Sequence, residues 1–223
     1  MHRDKWFDTK SGLFVLAEEK ILLDRLLKSM RRNDLLQIGG PHDDRLLHNI
    51  CVSRAFFLDS TYQHASQKAY IQADSDCLPI RSESMDIVLL IHALDFSDDP
   101  KATLQEAYRV LKPNGNLIVF GFNRWSLWRL WSFRAKKLYS LGKVTHQLQA
   151  LDCDVTLAQT LFFYPRIRWI EILGQFFFPY FGSVYAVLAT KNMPGMTPLA
   201  DLGWQKKFHV SSAGVIEPSR RSC

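Results

Sequence analysis

Hydrophobic positions recur along this chain with two different periods. Between residues 13 and 31, Leu16, Leu23, Leu26, Leu27 and Met30 fall at helical spacing, with Glu18, Glu19, Lys20 and Arg25 between them. That spacing predicts one helix. Short apolar runs follow, each closed by polar or turn-forming residues. Leu35 to Ile38 ends at Gly39, Gly40 and Pro41, predicting a first strand and turn. Arg45 to Ile50 reads as helical. Ala55 to Leu58 predicts a second strand, closed by Asp59 and Ser60, and Ala69 to Ala73 a third, closed by Asp74. Ile87 to Ile91 is continuously apolar, as expected of a parallel strand covered on both faces.

The period then returns to helical. From Pro100 to Leu111, Leu104, Ala107, Tyr108 and Leu111 form one stripe, and Pro100 suits a first-turn position. Lys112 to Gly115 reads as a turn and Leu117 to Phe120 as a further strand. Two more strands are expected near Val155 to Phe162 and Ser183 to Thr190. Strands alternating with helices imply an α/β doubly wound sheet. The expected organisation is an N-terminal helical segment over 1–32, a single domain over 33–192 and a flexible tail over 193–223, where periodicity disappears.

Composition narrows this picture only a little. The chain has 223 residues, 47% hydrophobic and 22% charged, which suits one domain with a sizeable core. A net charge of +6 weakly favours an anionic partner. Cys51, Cys77, Cys153 and Cys223 are scattered without metal-ligand spacing, so no metal site is expected, and a reduced cytoplasmic setting is the default. No signal peptide or spanning helix is expected from the apolar runs.

In open α/β sheets, ligands bind beyond the carboxyl ends of the strands. The chemistry-bearing residues should then be Gly39, Gly40, Asp59, Ser60, Asp74, Ser75 and His92. Three stretches give this a family reading. Ala73 to Pro79 places Asp74 ahead of Leu78 and Pro79; Met85-Asp86-Ile87-Val88 opens the fourth strand; Glu106 to Gly115 carries Arg109, Leu111, Lys112 and Pro113. Together they resemble the class I S-adenosylmethionine (SAM)-dependent methyltransferases, over roughly residues 33–123. Gly121 to Trp128, Trp169 to Gly174, Pro179 and Val184 to Lys191 resemble a proteobacterial subgroup of the type 11 domain, extending the likeness to about Lys191.

The resemblance implies a Rossmann-like, seven-stranded sheet in the order 3-2-1-4-5-7-6, with a lid over 124–150. It implies SAM as cofactor, with Gly39 and Gly40 letting the backbone approach closely. Asp59 would hold the ribose diol about 20 residues beyond the glycine turn, with Ser60 beside it. Asp74 would accept the adenine edge, with Cys77 and Leu78 nearby and Ser75 as a further cofactor-binding residue. His92 is a candidate general base, with a packed or pocket-lining side chain as the alternative. The first loop departs from the family's acid-and-glycine pattern: Gln37, Pro41 and Asp43 stand where an acid and two glycines are usual.

No Asp or Glu occurs between Ala107 and Leu151, and inside that window residues 124–139 interleave Arg124, Arg129, Arg134, Lys136 and Lys137 with Trp125, Trp128 and Trp131. Such a segment suits a cap on the core, a lid over a hydrophobic acceptor, or a peripheral membrane contact. Aromatics with arginine also suit RNA, the least favoured partner class. The function expected from sequence is methyl transfer to a small or lipid-like acceptor. A non-catalytic binding module with the same fold, and a membrane or RNA adaptor, are the alternatives.

Overall fold

The computed structural model describes residues 7–28, 30, 33–41, 45–47, 52–60, 69–123, 139–161 and 184–193. Chain order is α1 (Lys10–Leu27), β1 (Asp34–Gly39), β2 (Arg54–Asp59), β3 (Ala69–Gln72), β4 (Met85–Ile91), α2 (Ala93–Phe96), α3 (Pro100–Val110), β5 (Leu111–Phe122), α4 (Leu141–Ala150), β6 (Cys153–Leu161) and β7 (Val184–Lys191). The strands form one seven-stranded sheet in the order β3-β2-β1-β4-β5-β7-β6. The first five run parallel, and β7 lies antiparallel between β5 and β6. This is the expected strand order.

Side-chain alternation along the central strands divides the core in two. Leu36, Ile38, Val88, Leu90, Leu117 and Val119 face α3 and α4, meeting Leu104, Ala107, Val144 and Leu148. Leu35, Ile87, Leu89, Ile91, Ile118 and Phe120 face α1, meeting Leu16, Leu23 and Leu27. All six residues of β1 are buried, which explains its lack of a polar face.

Caps set helix boundaries that periodicity alone misplaces. α1 starts three residues earlier than the apolar stripe suggests, because the Thr9 side chain accepts the Gly12 N–H at 3.1 Å. α3 starts at Pro100 because Asp99 accepts the N–H groups of Lys101 and Ala102. At its other end the buried Lys191 ammonium donates to the carbonyls of Tyr108 and Leu111, where the helix dipole is negative.

The turn expected at Lys112 to Gly115 is instead part of β5. Leu111 pairs with Met85 and Asn116 with Ile87. Residues 112–115 stand opposite Asp86 alone and form an irregularity in the ladder, with Asn114 in the left-handed region at φ 60°. Of the helix expected at 45–50, residues 45–47 form a turn and the rest lies outside the described residues. Within the expected lid, 124–138 also lies outside them, while 141–150 is α4, a sheet-covering helix with Val144 and Leu148 in the core. The expected tail lies outside the described residues from 194 onward. No described helix is long and apolar enough to cross a membrane.

The amino ends of the strands are fastened by an ion network. Asp34 accepts Arg54 Nε at 2.6 Å and Lys112 Nζ at 3.1 Å, while Asp86 accepts Lys112 Nζ at 2.9 Å and the Asp34 N–H at 3.0 Å. The hydrogen bond from Arg54 holds the Asp34 carboxyl below its ordinary value, with Lys112 adding to it against the cost of burial. Asp86 thus has a structural place at this end, away from the carboxyl ends of the strands.

Candidate functional site

At the carboxyl ends of β1 to β4 the chain leaves a cleft of about 190 Å³. Ile38 and Gly39 come from β1, and Leu58, Asp59 and Ser60 from β2 and the turn beyond it. Residues 73–76 follow β3, and Ala93, Phe96, Ser97 and Asp98 follow β4. Five of the expected site residues are therefore brought together: Gly39, Asp59, Ser60, Asp74 and Ser75. Gly40 stands next to the cleft and does not line it. Asp76, Phe96, Ser97 and Asp98 are lining residues that sequence reasoning missed, because they sit on loops or, for Phe96, at the end of the four-residue α2, without a periodic signal.

The described lining carries four carboxylates, Asp59, Asp74, Asp76 and Asp98, and no cationic side chain. In a chain of net charge +6 this is a local reversal of sign. Among the described residues no group of His, Cys, Asp and Glu could hold a metal ion.

The first loop is held by its own side chain. Gln37 is buried, and its amide donates to the carbonyls of Gly39 at 3.1 Å and Pro41 at 3.5 Å. The residue that stands in place of the usual acid thus braces the loop from within. Gly39 and Gly40 both take positive φ, 74° and 80°, which glycine adopts without a side-chain penalty.

The opposite wall depends on α3. Thr103 Oγ1 bonds Ser75 Oγ at 3.1 Å and Ser97 Oγ at 2.8 Å, joining the loop after β3 to the loop after α2. Glu106 and Arg109, at i, i+3 on α3, do more than pair with each other. Arg109 donates to both Glu106 oxygens, to the carbonyls of Leu78 and Ile80, and to Ser82 Oγ. Glu106 in turn accepts the Leu78 N–H at 2.8 Å. The motif's acid and arginine therefore fasten the loop of the Leu78-Pro79 signature onto α3. Arg109→Ala is expected to lower stability by about 1–2 kcal/mol through the lost charged hydrogen bonds. Faster amide exchange should appear at 78–83, measured by hydrogen exchange, with β1 unchanged.

His92 is a correction to the sequence reading. Its ring has no exposed surface and does not line the cleft. Nε2 bonds Glu19 Oε1 at 2.8 Å, and Nδ1 bonds Asp95 Oδ2 at 3.2 Å. The ring stacks on Phe122 at 4.0 Å. Burial alone would lower the imidazole pKa, yet the charges and hydrogen bonds of Glu19 and Asp95 outweigh it and hold it at about 9. At neutral pH both nitrogens carry protons that face carboxylates, so the ring has no lone pair for a general base. Burial pushes the Asp95 carboxyl up, against the pull of His92 and of the Phe122 N–H, which Asp95 accepts at 2.9 Å.

His92 instead joins three elements: α1 through Glu19, α2 through Asp95, and β5 through Phe122 and through its own N–H, which donates to the Phe120 carbonyl at 2.9 Å. Since Ala93 and Phe96 of α2 line the cleft, this buried junction sets the position of one wall. Glu19 was discoverable in sequence as an acid lying between Leu16 and Leu23 on the apolar stripe of α1. Asn123, immediately beyond β5, is also buried.

Comparison with known proteins agrees with the fold. Residues 49–119 match the family model described as a methyltransferase domain. That match begins after the loop at 37–43, where the chain departs from the family pattern. The Escherichia coli (strain K12) protein YafS is 45% identical over 53 residues, 24% of this chain and 22% of that protein. A malonyl-[acyl-carrier protein] O-methyltransferase from Hahella chejuensis is 46% identical over 46 residues, 21% of this chain and 16% of that enzyme. The aligned stretches span about a fifth of these curated relatives. A SAM-dependent methyltransferase from Archaeoglobus fulgidus has a similar fold, with TM-score 0.60 and 16% identity over 79% of this chain and 94% of that one.

Proposed function

We propose that the chain is a class I SAM-dependent methyltransferase, as the match of residues 49–119 to the methyltransferase domain model supports, and that the cleft beside Gly39 binds SAM for methyl transfer to a small or lipid-like acceptor. The observation that carries this is the acidic cleft lining at the carboxyl ends of β1 to β4. SAM bears a sulfonium and an ammonium, and four carboxylates without a lining cation suit such a ligand. Asp59, 6% exposed at the end of β2, is placed to accept a ribose diol. Asp74 and Ser75 stand where an adenine edge would meet them, with Leu58, Ala73 and Phe96 as apolar neighbours.

When bound, the cofactor supplies a methyl group on a positively charged sulfur, an excellent leaving group. The chain's own task is then chiefly to hold donor and acceptor in line, which can supply much of the rate enhancement. No acidic or basic side chain need touch the reacting atoms, and the removal of His92 from that role leaves the reading intact.

A second reading is a binding module that keeps the fold without catalysis. Pro41, which has no amide donor, and the family match that starts only at residue 49 favour it. Radiolabelled SAM separates the two. Incubating the protein with labelled SAM and a cell extract should give label in organic-extractable or small-molecule products. Asp59→Ala should bind SAM about 10- to 100-fold more weakly, as expected for loss of a buried charged hydrogen bond. SAM binding without any product across lipid and metabolite fractions would support the module.

A further inference from the structure

Resting on the SAM reading of the cleft, we propose that Thr103 is a positioning residue that turns two cleft hydroxyls into acceptors, so that the site selects a 6-amino purine over a 6-oxo one. Thr103 has no exposed surface and is not itself a lining residue. Its hydroxyl makes three contacts: the Asp99 carbonyl at 3.1 Å, Ser75 Oγ at 3.1 Å and Ser97 Oγ at 2.8 Å. Both serines line the cleft, Ser75 beyond β3 and Ser97 beyond α2.

A hydroxyl has one proton to give and two lone pairs to receive with. The Asp99 carbonyl has no proton, so Thr103 donates there, the back-bond a helical threonine makes to the carbonyl four residues earlier. That carbonyl also accepts the Thr103 N–H at 3.0 Å, which its second lone pair allows. Both lone pairs of Thr103 Oγ1 are then left for the serines. One arrangement satisfies all three contacts: Ser75 and Ser97 each donate to Thr103. Each serine's only side-chain proton is thus committed to a buried atom, and what it can turn to a ligand is a lone pair. The carboxylates of Asp74 and Asp76, on either side of Ser75 in the lining, are acceptors too. An exocyclic amine brings protons to such a lining. A 6-oxo group brings lone pairs to lone pairs and leaves polar groups unpaired on both sides, which is how a site rejects a ligand of nearly the same shape.

Isothermal titration of the full chain with S-adenosylhomocysteine and with S-inosylhomocysteine, which differ only in the base, tests this. The parent should bind the adenosyl form about tenfold or more tightly than the inosyl form. Thr103→Val keeps the shape and removes the hydroxyl, so the released serine protons can turn to the 6-oxo group. The preference should narrow by about threefold to tenfold. Thr103→Ser keeps the hydroxyl and should keep the preference. A merely structural role would weaken both ligands alike and leave their ratio unmoved. Ser75→Ala, at a half-buried position, removes one acceptor without touching the core and should narrow the preference by weakening the adenosyl form alone. An unchanged ratio in folded Thr103→Val, or in Ser75→Ala, would overturn the proposal and leave the SAM site standing. A parent that binds neither ligand would overturn the SAM site and this proposal with it.

Discussion

Replacing His92 with alanine is expected to lower the stability of the folded chain by about 3–5 kcal/mol, the cost of breaking a buried ion pair from one side. The loss leaves Glu19 and Asp95 facing each other inside the protein. Each already has its other oxygen buried without a hydrogen-bond partner, so nothing nearby takes over. At this chain length the midpoint of thermal unfolding should fall by roughly 10 °C.

The same junction has a pH signature. His92 sits at about 9 in the folded chain against an ordinary 6.5. A raised imidazole contributes stability that is fully present below about pH 6.5 and is lost as pH rises through about 9. The difference is on the order of 3 kcal/mol. Among the described residues, the ionisable groups facing it are Glu19 from α1 and Asp95 from α2, and β5 contributes the Phe122 ring and N–H and the Phe120 carbonyl. Asp95, raised by burial, acts in the opposite region: its ionisation is penalised as pH climbs out of the ordinary carboxylate range. Urea unfolding from pH 6 to 9.5 should therefore show the gap between parent and His92→Ala shrinking toward the alkaline end. A constant gap would mean that the imidazolium is not the stabilising form.

The second large effect is expected at Gly39. An alanine there must hold φ near 74°, and its Cβ would lie 2.8 Å from the Ile91 carbonyl oxygen and 3.4 Å from Ala93. Left-handed strain and overpacking against backbone together predict a loss of about 2–4 kcal/mol. Gly40→Ala is the matched comparison. It carries the same sign of φ, 80°, and its Cβ would meet the Ile91 side chain at 2.8 Å, yet Gly40 does not line the cleft. Both variants should be destabilised, measured by denaturant titration. Only Gly39→Ala should also weaken SAM binding by tenfold or more at temperatures where it remains folded. Equal affinities would remove Gly39 from the site.

What sequence made legible follows from which forces are local. The apolar run of β4 and the stripe of α3 are set by burial on one element, so their spacing shows directly. The position of Asp59 and Asp74 at strand ends follows from chain order in a parallel sheet, and both indeed reach one cleft. The partner of His92 lies on α1, far away in the chain, and the imidazole's role depends wholly on it. Read at the exit of β4, the ring had the address of a base; its tertiary contacts make it a buried cation. The bracing role of Arg109 is invisible in sequence for the same reason, since its partners at 78–82 lie across a loop. Gln37 looked like a lost acid because sequence shows the substitution and not the two loop carbonyls it binds. The ladder irregularity at 111–116 hid behind a genuine turn signal, which the sheet accommodated without ending the strand.

Under the proposed function, the acidic cleft binds SAM despite its altered first loop. Isothermal titration of the full, folded chain with SAM tests it most directly. Saturable binding is expected, weakened in Asp59→Ala and weaker for S-adenosylhomocysteine, which lacks the sulfonium charge. No heat and no saturation at millimolar SAM, with folding confirmed in the same sample, would contradict it.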